Sequence, residues 1–393
     1  MTGIPRSDRY HVAVFGSRNA GKSSLVNCLV GQSVSIVSDV AGTTTDTVWK
    51  SVELPSIGAA VIADTAGFDD EGVLGSMRVE AARKVLASAD LVIILLGGDD
   101  VALEREWYEN ACRLQLPVLL VAGKCDRAEC RERIAMYEAS FGIDIIPFSA
   151  VTGEGRDALL GQMAQCFGKD DNLDDITYTL VKPGDVVVLV MPQDASAPKG
   201  RLIQPQVQTL RNLLDKHCIP LCCAPEELAA LLGSLVAPPQ LIITDSQVFP
   251  MVEKLTPEGT RLTSFSVLMA RHKGDIDAFL KGAEALRTMP QNGRVLIAEA
   301  CSHIPQNEDI GRVKLPRLLR SRLGDGVVID IVSGNDFPAS LAGYDLVIHC
   351  GACMFNRRTV LSRVRQAKAQ GVPITNYGIA IAALNGILER VCV

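Results

Sequence analysis

The sequence has no apolar run long enough to span a membrane. None is longer than LVIILL at residues 91–96, which is strand-sized, against the roughly 18 residues that a membrane helix requires. The opening MTGIPRSDRYH is polar and lacks the apolar core of a secretory signal. Cysteine is too sparse for a disulfide scaffold, since 12 in 393 residues lies far below the roughly 8–10% that marks one. A soluble, cytoplasmic protein with reduced thiols is therefore expected. Positive charge is not in excess either: 39 Lys and Arg stand against 45 Asp and Glu, a net charge of −6. That balance disfavours general nucleic-acid binding. Tandem repeats and low-complexity segments are also missing. What remains, 48% hydrophobic and 21% charged residues, is a globular composition, and at about 150 residues per domain it predicts two or three domains.

Over the first 170 residues, apolar runs (VAVFG, AAVIAD, LVIILL, LPVLLVAG, IDIIPFSA) alternate with amphipathic stretches such as EREWYENACRLQ and RERIAMYEASFG. Near-continuous apolar strands between helices predict an α/β domain with a mainly parallel sheet covered on both faces. The periodicity then breaks, and an acidic stretch ending in Pro183-Gly184 predicts a linker at 171–185. The alternation resumes in two smaller sets, expected as α/β units at 186–272 and 273–393. The middle unit carries no obvious chemistry of its own and is expected to pair subunits.

Chemistry appears first after VAVFG. Gly16-Ser17-Arg18-Asn19-Ala20-Gly21-Lys22-Ser23 fits GxxxxGK[ST] in full and leads into the helical pattern SSLVNCLVG. Glycines let backbone N–H groups surround phosphate oxygens at a helix N-terminus, Lys22 reaches the β and γ phosphates, and Ser23 ligates Mg²⁺. Downstream, Asp64-Thr65-Ala66-Gly67 ends a strand, where Asp64 holds the Mg²⁺ hydration shell and the Gly67 N–H meets the γ phosphate. These residues resemble the TrmE and Era group of GTPases over roughly residues 8–170. The resemblance implies that Ala41-Gly42-Thr43-Thr44-Thr45-Asp46 is the first switch, with Thr44 on Mg²⁺. Catalysis then falls to Lys22, Thr44, Asp64 and Gly67, and Gly16, Asn19, Ala20, Gly21, Ser23 and Ser24 cradle GTP or GDP.

Two groups usual in such enzymes are missing. The guanine-reading [NT]KxD motif stands as Gly123-Lys124-Cys125-Asp126, with Gly in place of the bracing Asn. Asp126 still accepts from guanine N1 and N2, Lys124 keeps its place, and Ser149-Ala150 resembles the element that meets guanine O6. Weaker affinity is expected, because each lost hydrogen bond nets about 1 kcal/mol. The second missing group is a water-orienting Gln, since Phe68 follows Gly67. Asn19 matches the P-loop Asn that, in the TrmE-like relatives, helps hold a potassium ion, which implies hydrolysis that K⁺ accelerates and Na⁺ does not.

A second constellation lies near the C-terminus. Cys301-Ser302-His303 follows the strand RVLIAEA, and His349-Cys350-Gly351-Ala352-Cys353 ends the strand DLVIHCGA, giving CxH-x45-HCxxC. In a parallel unit both segments fall at strand C-termini, where loops converge. Three soft ligands without a fourth Cys suit a [4Fe-4S] cluster with one exchangeable iron better than structural zinc. Zinc completed by a histidine stays open. His303, His349, Glu308 and Asp309 are in reach as fourth ligand, with Glu308 favoured as a weak, displaceable carboxylate.

This pattern, with the GTPase order before it, resembles the [FeFe]-hydrogenase maturation GTPases, the hydrogenase maturase F family, over essentially the whole chain. The resemblance implies a scaffold that receives a diiron precursor from radical-SAM maturases and passes it to apo-[FeFe]-hydrogenase, as a homodimer. A GTP-gated iron-sulfur or redox protein and an RNA-directed GTPase are the alternatives. The remaining nine cysteines are expected to be buried or bystander thiols.

Overall fold

The computed structural model describes residues 6–30, 48–65, 82–167, 175–193, 202–300, 310–334, 336–352 and 354–392. The chain divides into two compact units, Met1–Asp171 and Asn172–Val393.

In the first unit six strands form one sheet: β1 (Tyr10–Phe15), β2 (Val48–Leu54), β3 (Gly58–Asp64), β4 (Leu91–Leu96), β5 (Val118–Ala122) and β6 (Ile146–Pro147). Their order is β2-β3-β1-β4-β5-β6, with β2 antiparallel to β3 and the other pairs parallel. Strand alternation feeds two cores. Val12 and Val14 join Leu91, Ile93 and Leu95 on one face, while Ala13 and Phe15 join Val92, Ile94 and Leu96 on the other. That two-sided burial is why these strands read as unbroken apolar runs. Helices α1 (Lys22–Val30), α2 (Ala102–Arg113), α3 (Ala128–Phe141) and α4 (Arg156–Phe167) complete the unit.

The second unit holds two fully parallel four-stranded sheets. The first, ordered β10-β9-β7-β8, uses β7 (Val186–Val190), β8 (Ile219–Cys223), β9 (Leu241–Thr244) and β10 (Arg261–Ser264). Its helices are α5 (Gln204–Asp215), α6 (Leu228–Ser234), α7 (Phe249–Leu255) and α8 (Phe265–Lys273). The second sheet, ordered β12-β11-β13-β14, uses β11 (Arg294–Ala298), β12 (Val328–Val332), β13 (Leu346–His349) and β14 (Ile374–Asn376). Helices α9 (Ile276–Thr288), α10 (Leu315–Leu323), α11 (Arg357–Ala369) and α12 (Tyr377–Leu384) accompany it.

The α/β class expected from the sequence is therefore observed, a P-loop domain followed by mainly parallel sheets. The two later sheets share one core: Val188 and Val190 of one and Leu296, Ala298 and Val347 of the other belong to a single apolar cluster. The chain end also returns to the first of these sheets, with Val391 bridging Leu262 and the Cys392 N–H donating to the Leu262 carbonyl at 2.8 Å. Within 171–185, Ile176, Leu180 and Val181 are buried against β7 and β9 residues, and the Thr177 hydroxyl donates to Asn212 Oδ1 at 2.7 Å. The acidic stretch gives way there to apolar side chains, and the chain packs instead of spanning.

Candidate functional site

The nucleotide site is built where β1 ends. β1 is central and buried, so the turn after it opens at the C-terminal edge of the sheet. Gly16 has φ 150°, and a Cβ there would lie 2.5 Å from the Leu95 carbonyl oxygen, so a side chain is excluded. Asn19 takes a left-handed φ of 62°, a conformation Asn tolerates better than most residues. Helix α1 begins at Lys22, which puts the N–H groups of Lys22, Ser23 and Ser24 among the unbonded donors of its first turn. Lys22, 7% exposed, donates its ammonium to the Gly16 and Ser17 carbonyls at 2.8 Å each. It is held over the loop that is to receive phosphate.

Two further contacts fix this loop. Thr65 Oγ1 donates to the Val14 carbonyl at 2.6 Å, and Asp64 is in register with Val14, so the end of β3 stands beside the loop's root. The Ser17 N–H donates to Glu104 Oε1 at 2.8 Å, and Glu104 is 2% exposed. Glu104 was not singled out from the sequence. Its signal was its place on the buried face of α2 with Trp107 and Ala111.

The residues expected to read the base lie at the ends of β5 and β6. A cavity of about 610 Å³ is lined there by Ala20, Lys124, Asp126, Phe148 and Ala150 among others. The Ser149 hydroxyl donates to Asp126 Oδ1 at 2.7 Å, and this bond leads in holding the Asp126 carboxyl below the usual carboxylate range. Ser149 Oγ in turn accepts from the N–H groups of Val151 and Thr152. Lys124 donates to the Asn19 carbonyl, tying the base-reading strand end to the P-loop. A Cβ at Gly123 would lie 2.9 Å from the Ala20 carbonyl oxygen and 3.2 Å from Leu95 Cδ1. The P-loop thus packs directly against Gly123, where the family pattern has an Asn. Thr44 and Gly67 lie outside the described residues.

The cysteine and histidine constellation falls in the second unit. Ala298 at the end of β11 pairs with His349 at the end of β13, and the Cys350 N–H donates to the Ala298 carbonyl at 2.9 Å. The two strand ends expected to converge are adjacent. Cys350 Sγ accepts from the Ala300 N–H at 3.0 Å and from the Ala352 N–H at 3.4 Å; Ala352 is in the left-handed region at φ 53°. Cys301, His303, Glu308, Asp309 and Cys353 lie outside the described residues. Among the described residues no group of three or more His, Cys, Asp or Glu is arranged to hold a metal. Flanking the 301–309 segment, Glu299 accepts from Arg312 Nε at 3.0 Å and from Ser333 Oγ at 3.1 Å.

His349 does not stand free to ligate. Arg363 Nη1 lies 3.0 Å from its Nε2, and a guanidinium can only donate. Nε2 is therefore the acceptor, and Nδ1 carries the proton that it donates to the Cys350 carbonyl at 2.8 Å. Burial, then the Arg363 charge, push the imidazole down to about 3, so it is neutral at pH 7 with both nitrogens engaged.

Comparison with known proteins identifies the chain. Residues 277–393 match the model described as the hydrogen maturase F tetramerization domain, and residues 176–274 match the hydrogen maturase F dimerization domain. Together they span more than half of the chain. It belongs to the hydrogenase maturase F family. Residues 11–124 match a model described as 50S ribosome-binding GTPase, so this family member is a GTPase of hydrogenase maturation that binds GTP and GDP.

Among solved structures, the chain is similar to Era of Aquifex aeolicus bound to GDP·AlF4⁻. The identity is 23% and the TM-score 0.35, covering 55% of this chain and 92% of that one. The G domain of the T. maritima FeoB iron transporter gives 24% and 0.31, covering 40% of this chain and 98% of that one. The family resemblance carried by the motifs is borne out. No helix among the described residues is long and apolar enough to cross a membrane.

Proposed function

We propose that this maturase holds a [4Fe-4S] cluster through Cys301, Cys350 and Cys353 and delivers a diiron precursor to apo-[FeFe]-hydrogenase. GTP hydrolysis would time its exchanges with partners. The observation that carries the cluster reading is the setting of Cys350. Its sulfur lies just past the end of buried strand β13 and receives two backbone N–H groups. Hydrogen bonds of that kind favour the thiolate over the thiol and are the contacts that surround cluster-ligating sulfur. Cys350, the one described ligand of the three, therefore fits the group. When bound, the cluster supplies an iron site open to exchange. The chain's own part is to present three thiolates, to keep His349 neutral and turned inward, and to leave the fourth position to a weak ligand from the 301–309 segment, Glu308 ahead of His303.

On the GTPase side, Lys22 and the first-turn amides of α1 neutralise and orient the phosphates, Ser23 and Thr44 ligate Mg²⁺, and Asp64 orders its water shell. Gly67 meets the γ phosphate, and Asn19 with K⁺ takes the place of an arginine finger. Residues 186–272 serve as the pairing unit of a homodimer and 273–393 as the cluster unit. The β8 edge supports pairing: Ile219 is 52% exposed, Leu214 on the neighbouring α5 equally so, and an apolar unpaired edge invites a second strand. Radical-SAM maturases are the suppliers of the precursor, and the cytoplasm is the compartment.

The test is activation. Anaerobically prepared protein carrying the precursor is mixed with apo-[FeFe]-hydrogenase and hydrogen evolution is followed. Activation by the wild-type chain and its loss in Cys350→Ser is the expected result. Equal activation by both would remove the cluster from the account, and no activation by either would remove delivery.

A further inference from the structure

Arg363, on α11, is a buried cation, 6% exposed. Its guanidinium donates to the Gly334 carbonyl and to His349 Nε2. It also lies 4.8 Å and 4.5 Å from the ring centroids of Phe337 and Phe355. Among the described residues no carboxylate pairs with it. An arginine guanidinium keeps its charge at neutral pH. Lys273, at the end of α8 and 5% exposed, points its ammonium at the carbonyls of Phe355 at 3.2 Å and Ala352 at 3.5 Å. Two buried cations thus converge on the turn that carries Cys350.

The Arg363 charge, which no described carboxylate meets, is costly to bury and persists where an anion meets it. A [4Fe-4S]²⁺ core held by three thiolates is such an anion. We propose that Arg363 is the charge-compensating and positioning residue of the cluster site: its guanidinium supplies the buried positive charge that the thiolate-held cluster neutralises, and through His349 it orients the Cys350 carbonyl. The inference rests on the cluster reading made above and goes beyond it by naming a residue outside the cysteine motif. Removing the cation leaves the extra electron of the reduced cluster less stabilised, so the midpoint potential moves negative. The apoprotein, by contrast, is relieved of an unmatched charge.

These opposite signs make the test. Full-length wild type, Arg363→Met, Arg363→Lys and Arg363→Gln are reconstituted anaerobically. Iron loss to a chelator, the EPR-monitored midpoint potential and the melting temperature of each apoprotein are then measured. Arg363→Met is expected to release iron about tenfold faster or more, to titrate at a more negative potential, and to melt as apoprotein no lower than wild type. Arg363→Lys, which keeps the charge, stays close to wild type. Arg363→Gln, which keeps a donor for His349, behaves as the Met variant and carries the test if that variant does not fold. A lowered apoprotein melting point with wild-type potential and iron loss would make Arg363 a packing residue and overturn the proposal. A wild-type chain that takes up no cluster would overturn both this inference and the reading beneath it.

Discussion

Ser149 and Asp126 are 23 residues apart, yet one hydroxyl leads in setting the state of the carboxylate proposed to read guanine. Because the carboxyl is held low, it stays ionised as the pH falls toward the ordinary carboxylate value near 4. Ser149→Ala removes the leading cause, so Asp126 protonates at higher pH and the loss of GTP affinity on acidification moves upward. Asp126→Ala is expected to remove the charge-assisted bonds proposed to guanine N1 and N2 and to weaken GTP by about tenfold or more. Titration with fluorescent GTP and ATP across pH checks both; an unchanged GTP-to-ATP ratio in Asp126→Ala would count against its role. The residues that were legible in the sequence, from Gly16 to Ser24 and at 123–126, are local runs whose spacing carries the geometry. Glu104, 87 residues from the Ser17 it holds, and Arg363, 14 residues from His349, act through the fold and carry no local signature.

At the scale of elements, the long strands declared themselves because burial on both faces leaves unbroken apolar runs, as in β4 and β7. β10 (RLTS) and β14 (ITN) did not. They are short, partly polar edge strands, buried by the fold more than their composition announces. The break between α8 and α9 is set by Asp275, whose side chain accepts from the Ala278 N–H at 3.0 Å and from Lys368 Nζ at 2.6 Å. Burial pushes its carboxyl up, but Lys368 and the Ala278 N–H outweigh that and hold it below the usual range. A carboxyl depressed on folding adds stability above its unfolded value, lost as the pH falls through its folded one. Asp275→Ala is accordingly expected to destabilise the second unit by about 1 kcal/mol at pH 7, with the difference shrinking in acid. Urea melts at pH 7 and pH 3 measure it, and a difference that grows in acid would contradict the assignment.

On the scale of the molecule, the alternation of strands and helices announced α/β architecture throughout, and the order of motifs announced the family. The common core of the two later sheets was not legible. Val188, Leu296 and Val347 are each ordinary strand residues, and only the fold brings them into one cluster. Nor could the sequence tell that the last residues return to pair with β10. The consequence is that β7 to β14 stand as one body, and the turn at Cys350 is supported from α8 of one sheet and α11 of the other. This body is proposed to hold an iron-sulfur cluster through Cys350. The most direct measurement is EPR of the anaerobically reconstituted, dithionite-reduced full chain beside its Cys350→Ser variant. A reduced [4Fe-4S] signal is expected in the wild type and absent from the variant. A colourless, zinc-loaded wild type, or a signal that persists unchanged in Cys350→Ser, would contradict it.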